Sequence, residues 1–182
     1  MTQGDDLWVF GYGSLMWRPG FAYRERHRAE IHGYHRALCV FSHVHRGTPD
    51  RPGLVLGLDR GGRCHGVAFR VAAEEAAATV AYLREREQVT GVYVERLVAA
   101  RLEDGREVPA LAFVVDRGHP QYAGRLADQE LLRLVRQGVG VSGANPDYVR
   151  STYEHLVGLG VSDPVLARLT QALGEEQPAG EA

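Results

Sequence analysis

The sequence predicts an α+β fold, a small mixed β-barrel of about six strands flanked by helices. Strand-like segments come first, a helical stretch follows at residues 73–87, two more strand-like segments come next, and helical patterns fill the rest. The strand-like segments are rich in Val, Leu and aromatic residues, and glycines interrupt them at several points. This order fits a closed barrel and an open sheet equally well, because pattern alone does not tell whether the outermost strands pair.

The six predicted strands are separated by turns that the sequence marks. Their ranges are Leu7–Phe10, Gly33–Phe41, Leu54–Leu58, Cys64–Val71, Val92–Leu102 and Val108–Val115. A Gly-Gly turn is predicted at residues 59–63, and Glu103-Asp104-Gly105 predicts a hairpin between the last two strands. Residues 16–30 are predicted to form a connecting loop, with the basic stretch Arg24–Arg28 in solvent.

Four helices are predicted. The first, Ala73–Glu87, is rich in Ala and Glu and carries a core-facing stripe of Ala76, Val80 and Leu83. Asp128 and Asn145 are the predicted N-caps of two later helices, and Asp163-Pro164 marks the start of a last short one. We expect one domain at residues 1–174, followed by a polar, disordered tail at residues 175–182.

Composition excludes several classes of function. The chain has 182 residues and a formal net charge of −2, and no Arg run is interleaved with aromatic residues, so we expect no nucleic-acid partner. The 21 basic residues are all Arg, which excludes Schiff-base chemistry, PLP attachment and a Walker lysine. No apolar run reaches membrane length, the first residues are polar, and cysteines number only two. We therefore predict a cytoplasmic monomer without a membrane partner.

The clearest candidate for a binding site is a buried strand that runs into a glycine-spaced turn. The residues involved are Val9, Phe10, Gly11, Tyr12, Gly13, Ser14 and Leu15. Glycines at alternate positions let the backbone approach a ligand and can direct successive N–H groups toward a carboxylate or phosphate. The same pattern is also that of an ordinary turn, because Met16 stands where the dinucleotide fingerprint needs a third Gly.

Glu87 is the strongest candidate for a catalytic residue. It lies four residues after Leu83, so that on a helix it points within about 40° of Leu83 and about 20° of Val80, whereas Glu85 points to the opposite side. A carboxyl group on an apolar helix face loses solvation, which raises its pKa toward the range of a base that works at neutral pH. The alternative is that Glu87 lies beyond the last buried turn and is simply solvated.

The histidines raise the possibility of a zinc site. His43 and His45 stand at alternate positions, and His32, His35 and Cys39 are near them in the sequence. The sequence lacks the usual ligand spacings, and scattered histidines are ordinary in a chain of this length. The expectation is therefore that the protein holds no metal.

Two further side chains support weaker hypotheses. Ser14 lacks the Gly-x-Ser-x-Gly pattern of a nucleophile elbow. Tyr148, near the start of the helix at Asn145, is a candidate for a hydroxyl that points into a pocket. Tyrosines at such positions are more often packing or surface residues.

Four segments of the chain are informative in combination. They are Trp8–Leu15 with Trp17 close behind, Ser42…His45-Arg46-Gly47, Tyr82–Glu87 with Gly91-Val92-Tyr93, and Asp147-Tyr148. In this order and at these separations they resemble the ChaC-type, glutathione-specific γ-glutamylcyclotransferases. The resemblance spans about residues 7–173. The chain departs from the animal members in the longer gap, Gln88–Thr90, between Glu87 and Gly91.

The resemblance implies a fold, a set of site residues and a reaction without a cofactor. The fold is a small mixed barrel with flanking helices. The γ-glutamyl part of the substrate lies against the stretch from Val9 to Leu15, and backbone N–H groups of the turn hold its α-carboxylate. Glu87 is the general acid and base, and Tyr148 lines the pocket.

The chemistry of such a lyase fits those parts. In glutathione the α-amino nitrogen can attack the γ-carbonyl of its own molecule, which closes a five-membered lactam, 5-oxoproline, and expels Cys-Gly. Glu87 would remove the proton of the α-ammonium group and return a proton to the leaving amine. The reaction needs no metal, nucleotide or covalent intermediate.

Three other functions stay open at this point. The protein could be a cyclotransferase for other γ-glutamyl amines or dipeptides. It could be a non-catalytic module that binds a carboxylate through the same turn. It could also be a zinc hydrolase that uses His43 and His45.

Overall fold

A computed structural model describes residues 5–175 of the chain. Five of its strands form a closed barrel in the order β1-β3-β2-β4-β5. The strands are β1 (Leu7–Gly11), β2 (Glu25–Ser42), β3 (Gly53–Val71), β4 (Tyr93–Leu102) and β5 (Glu107–Val115). β1 pairs antiparallel with β3 and parallel with β5, so the barrel is mixed. This confirms the predicted α+β class, and it decides between the closed barrel and the open sheet in favour of the barrel.

The barrel has five strands where the sequence predicted six, because two predicted strands are one. β3 runs without a break through 19 residues. Gly61 and Gly62, expected to form a turn, adopt φ values of 98° and 71° within the strand. Glycine has no side chain and tolerates this left-handed backbone conformation, so the strand continues through both residues.

The prediction of a loop at residues 16–30 was wrong for the second half of that range. β2 begins at Glu25, so the basic stretch lies largely in a strand. Its charges pair with residues of adjacent segments: Arg28 donates to Glu103 at 3.1 Å, and Glu25 accepts from Arg70. Charged residues on both faces hide the period of two by which a strand is recognised.

One compact unit consists of the described residues up to Ala37 and of Leu56–Tyr122. Its core cluster contains Leu7, Val9, Leu15, Val71, Leu83, Leu111 and Phe113. The helix α1 (Ala73–Glu87) contributes Leu83, and Ala76 and Val80 pack against the same cluster. The apolar stripe predicted for this helix is confirmed.

A second compact unit consists of Leu38–Val55 and of the described residues from Ala123 onward. It contains α2 (Asp128–Gln137), α3 (Asn145–Gly158), α4 (Pro164–Glu175) and the short strands β6 (Val139–Gly140) and β7 (Gly143–Ala144). The three helices pack against one another and bury mainly leucines and valines. The prediction of a single domain at residues 1–174 stays a prediction.

The predicted helix caps had mixed outcomes. The Asp163 carboxylate accepts a hydrogen bond from the N–H of Leu166 at 3.0 Å, as a cap should. Asp128 and Asn145 instead lie within the first turn of their helices, and neither makes a cap bond. Asn145 is fully buried, accepting from the N–H of Leu54 at 2.7 Å and donating to its carbonyl at 2.8 Å.

The end of the chain and its two cysteines complete the description. α4 includes Glu175, the first residue of the predicted tail, and residues 176–182 lie outside the described part. Cys39 and Cys64 are buried thiols. None of the helices among residues 5–175 has the length and hydropathy to cross a membrane.

Candidate active site

The glycine-spaced turn follows β1 directly and closes with a short 3₁₀ helix, Ser14–Met16. The N–H of Met16 donates to the carbonyl of Gly13 at 2.9 Å, and the N–H of Arg18 donates to that of Ser14 at 2.7 Å. A Cβ atom on Gly11 would lie 3.0 Å from the Cβ of Leu15, so the tight turn favours Gly there.

Most of the predicted binding residues are buried scaffold. Val9 and Phe10 are fully buried, Tyr12 and Leu15 are nearly so, and Ser14 is exposed at the surface of the turn. The side chains that this stretch can present to a ligand are therefore few. A ligand at this turn would therefore meet mainly backbone groups.

Arg36 fixes the orientation of one peptide group in this turn. Its Nε donates to the carbonyl of Tyr12 at 2.6 Å, and its Nη2 donates to the carbonyl of His65, also at 2.6 Å. In a trans peptide the N–H points opposite to the carbonyl, so the N–H of Gly13 points away from Arg36. Arg36 was not predicted as a site residue, because the residues around it in the sequence form no recognisable motif.

Glu87 is the last residue of α1, and its side chain is 18% exposed. Burial raises the pKa of its carboxyl group, and the neighbouring Arg86 guanidinium offsets part of that rise. Glu85, two residues earlier, is exposed. A partly desolvated carboxyl group that holds its proton more tightly than usual is suited to proton transfer near neutral pH.

Arg86 joins the turn to Glu87. Its Nη2 donates to the Ser14 hydroxyl at 2.9 Å, and its Nε lies 3.4 Å from Oε1 of Glu87. The structure thus brings two predicted parts of the site together through a residue that was not predicted. The adjacent Arg-Glu pair was visible in the sequence, but its partners, 72 positions away in the case of Ser14, were not.

Tyr148 lies in α3, in the second compact unit, near the helix start as predicted. The Arg46 guanidinium lies 5.5 Å from the centre of its ring, within the range of a cation–π contact. Arg46 also donates its backbone N–H to the Ser42 hydroxyl at 2.9 Å and its Nη1 to the carbonyl of Ala144 at 3.2 Å. Ser42 and Arg46, which come from one motif, and Tyr148, which comes from another, therefore form one cluster.

The histidines of the zinc hypothesis make other contacts. Nδ1 of His45 lies 2.9 Å from the Ser142 hydroxyl, and His43 stacks on Phe41 with ring centres 6.1 Å apart. Across residues 5–175, His, Cys, Asp and Glu side chains form no group of three that could hold a metal ion.

Comparison with known proteins gives a consistent result. The family model described as ChaC-like protein matches residues 7–176. The chain is 36% identical to the glutathione-specific γ-glutamylcyclotransferase of Escherichia coli K12, over 96% of this chain and 77% of that protein. It is 34% identical to human glutathione-specific γ-glutamylcyclotransferase 1, over 94% of this chain and 80% of that protein.

The fold has a close match among solved structures. A yeast γ-glutamyl cyclotransferase specific to glutathione superimposes with a TM-score of 0.82 over 94% of this chain and 96% of that chain. Sequence identity between the two is 22%, so the match concerns the fold alone.

Proposed function

The chain belongs to the ChaC-like protein family, and from this premise we propose that it is a γ-glutamylcyclotransferase that converts glutathione into 5-oxoproline and Cys-Gly. The observation that carries the proposal is the position of Glu87. Its carboxyl group is largely buried at the end of α1, and Arg86 links it to the glycine turn. Relatives of similar sequence carry the glutathione-specific name.

The reaction begins with proton removal in this proposal. The α-amino group of the γ-glutamyl residue is an ammonium ion at neutral pH and cannot attack until it loses a proton. The Glu87 carboxylate takes that proton, and the freed nitrogen attacks the γ-carbonyl carbon. Because both reacting groups belong to one molecule, the protein contributes chiefly by holding them in a near-attack geometry.

The second half of the reaction returns the proton. The tetrahedral adduct collapses, which re-forms the carbonyl and breaks the C–N bond to cysteine, and Glu87 returns its proton to the leaving nitrogen. The ring nitrogen, which still carries two protons after the attack, gives one of them to the released amine, so that the products are the neutral lactam and the ammonium form of Cys-Gly. Burial raises the pKa of Glu87, which makes its carboxylate a stronger base than that of an ordinary glutamate in the first half of the reaction. No bond forms between protein and substrate, and the carboxylate is regenerated with each turnover.

The glycine turn is the proposed site of the γ-glutamyl group. Backbone N–H groups of the stretch from Gly11 to Leu15 would hold the α-carboxylate, and the N–H of Gly13, directed away from Arg36, is one such donor. Tyr148 is the proposed pocket-lining residue on α3. A cytoplasmic location, a monomeric state and a cofactor-free reaction complete the proposal.

The decisive experiment is a turnover assay on the purified protein. It is incubated with reduced glutathione, without added metal or nucleotide, and 5-oxoproline and Cys-Gly are measured by mass spectrometry. We expect both products from the wild type and a loss of at least about 100-fold in kcat for Glu87→Gln, the contribution typical of general acid–base catalysis.

Glu85→Gln is the matched control. It removes the same charge from the same helix, but at an exposed position, so wild-type turnover is expected. Retention of most activity in Glu87→Gln would overturn the assignment of the base. Products from other γ-glutamyl amines but not from glutathione would transfer the proposal to that substrate class, and a rise in melting temperature without product would favour a binding module.

A further inference from the structure

The Arg86 guanidinium donates hydrogen bonds to several groups around the turn, unlike a surface arginine that points into solvent. Its Nη1 donates to the carbonyl of Arg18 at 2.6 Å, to that of Pro19 at 3.3 Å and to the Tyr82 hydroxyl at 3.1 Å. Its Nη2 donates to the Ser14 hydroxyl at 2.9 Å. The partners belong to the 3₁₀ turn, to the loop behind it and to α1 itself.

The remaining nitrogen of the guanidinium faces Glu87. Nε lies 3.4 Å from Oε1 of Glu87, which is close enough for an ion pair and longer than an ordinary N–H···O bond. The contact therefore orients the carboxyl group without using up its capacity to accept a proton. The side chain of Arg86 is itself only 23% exposed, so its charge acts on Glu87 with little screening by water.

A planar guanidinium is needed for this set of contacts. Its donors point in fixed directions, so one side chain can bind the turn on one edge and face the carboxylate on another. A lysine places its whole charge on a single nitrogen and cannot make both contacts in the same geometry. We call the simultaneous contacts of Arg86 with the turn and with Glu87 the clamp. Lysine at this position would keep the positive charge and lose the clamp.

The loop behind the turn also packs directly on α1, through a contact between Gly20 and the Tyr82 ring. Gly20 adopts a φ of 75° and lies so close to the Tyr82 ring that an added Cβ would come within 2.1 Å of the hydroxyl oxygen. The contact between Gly20 and the ring does not include the Arg86 side chain. We therefore expect variants of Arg86 to fold, with the turn attached but less precisely placed.

From these contacts we propose that Arg86 is the positioning residue of the site, which sets the place of the glycine turn relative to the carboxyl group of Glu87. The inference rests on the proposed function, because it assigns to Arg86 the alignment of the bound γ-glutamyl group with its base. The guanidinium touches neither substrate nor reacting atoms in this role. It acts through Ser14 and through Glu87.

Two variants separate the clamp from the charge. Arg86→Lys loses the clamp and keeps the charge, whereas Arg86→Gln loses both. We expect each to lower kcat/KM for glutathione by about 100-fold, the usual effect of a misplacement of about 1 Å at a reacting centre. Melting temperature and circular dichroism establish that the variants are folded.

The pH profile distinguishes positioning from a general structural role. The two influences on the pKa of Glu87 are burial, which raises it, and the charge of Arg86, which lowers it. In Arg86→Gln the acidic limb of kcat/KM should move to higher pH, and in Arg86→Lys it should stay near its wild-type position. A ¹³C NMR titration of the Glu87 carboxyl group gives the same comparison without turnover.

Arg84→Gln is the matched control, because Arg84 lies one position before Glu85 on the same helix and pairs with Glu95 at the surface. It should leave turnover and pH profile unchanged. Wild-type kcat/KM in Arg86→Lys, or identical acidic limbs in Arg86→Lys and Arg86→Gln, would overturn the inference while the proposed function stands. Absence of turnover in the wild type would refute the proposed function itself, and the inference would fall with it.

Discussion

Glu87 occupies a position where the packing of α1 would favour an apolar side chain. The stripe that buries Leu83 in the core of the first unit continues toward the end of the helix and meets a carboxyl group there. Burial disfavours the charged form, so the folded protein holds this proton more tightly than the unfolded chain does. A residue that lowers stability in its working state is typical of a functional site.

This cost makes the stability of the protein depend on pH in a defined direction. Burial raises the pKa of Glu87 above the usual value of a glutamate in the folded state. Stability therefore falls as pH rises from the unfolded value through the folded one, and the loss is complete above it. We expect Glu87→Gln to be more stable than the wild type at pH 7, by a margin that shrinks as the pH is lowered toward 4.

Urea unfolding at several pH values between 4 and 7 measures that margin. Glu85→Gln serves again as the control, and its difference from the wild type should not follow the same pH course. A margin for Glu87→Gln that is constant across this range would show that the Glu87 carboxyl group is not desolvated in the folded protein.

At the scale of elements, local patterns predicted helices better than strand ends. The stripe of α1 repeats every three to four residues and was recognised directly. β3 was divided in two because a Gly-Gly pair resembles a turn, and the start of β2 was missed because charges occupy both faces of the strand. In both strands the deciding interactions are with neighbours distant in sequence, which local pattern does not contain.

Gly20 is an element-scale feature that mutation can test, because its backbone is left-handed and its Cα faces the Tyr82 ring of α1. Gly20→Ala should destabilise the protein by about 2–4 kcal/mol, as the sum of backbone strain and a forced displacement of Tyr82. The same variant should lower kcat/KM, because it shifts the loop that Arg86 holds. The free energy of unfolding is measured by urea denaturation.

Gly105→Ala is the comparison that isolates the steric part. Gly105 has a φ of 91° and no atom within 4 Å of an added Cβ. It should cost only the backbone strain, about 1 kcal/mol, and leave kcat/KM unchanged. Equal costs at the two positions would contradict the close packing of Gly20 on Tyr82.

At the scale of the whole molecule, the class of fold could be predicted from the sequence, and so could the glycine turn and Glu87 as parts of the candidate site. The contacts that join the turn to Glu87 could not. The turn and Glu87 are recognisable from spacing and periodicity. The roles of Arg86 and Arg36 could not be predicted, because the sequence does not show which residue an arginine contacts and the chain contains many arginines. Asn145 was mistaken for a helix cap for the same reason, since its bonds reach back 91 positions to Leu54.

The first compact unit also contains a network of ion pairs whose strength depends on pH in the acidic range. Glu25 accepts hydrogen bonds from Arg106, Arg70 and His27, which lower its pKa to about 2. A carboxyl group with a lowered pKa stabilises the folded state above its unfolded pKa, and this contribution disappears as pH falls through the folded value. The wild type should therefore lose stability between about pH 4.5 and 2 more steeply than Glu25→Gln does.

Thermal unfolding followed by circular dichroism across this range tests the prediction. Glu154→Gln, a change at an exposed glutamate on α3, is the control and should follow the wild type. If Glu25→Gln and the wild type lost stability in parallel, the Glu25 pairs would contribute nothing to the acid sensitivity of the protein.

The pairing of β1 has a consequence for redesign. A strand bonded along both edges, antiparallel to β3 and parallel to β5, cannot slip along one neighbour without breaking from the other. The barrel therefore fixes the point at which the turn begins, and the contact between Ser14 and Arg86 holds the turn at a second point. For an engineer who wants to alter which amine is released, the proposed γ-glutamyl site therefore starts from a strand whose register is fixed by two neighbours.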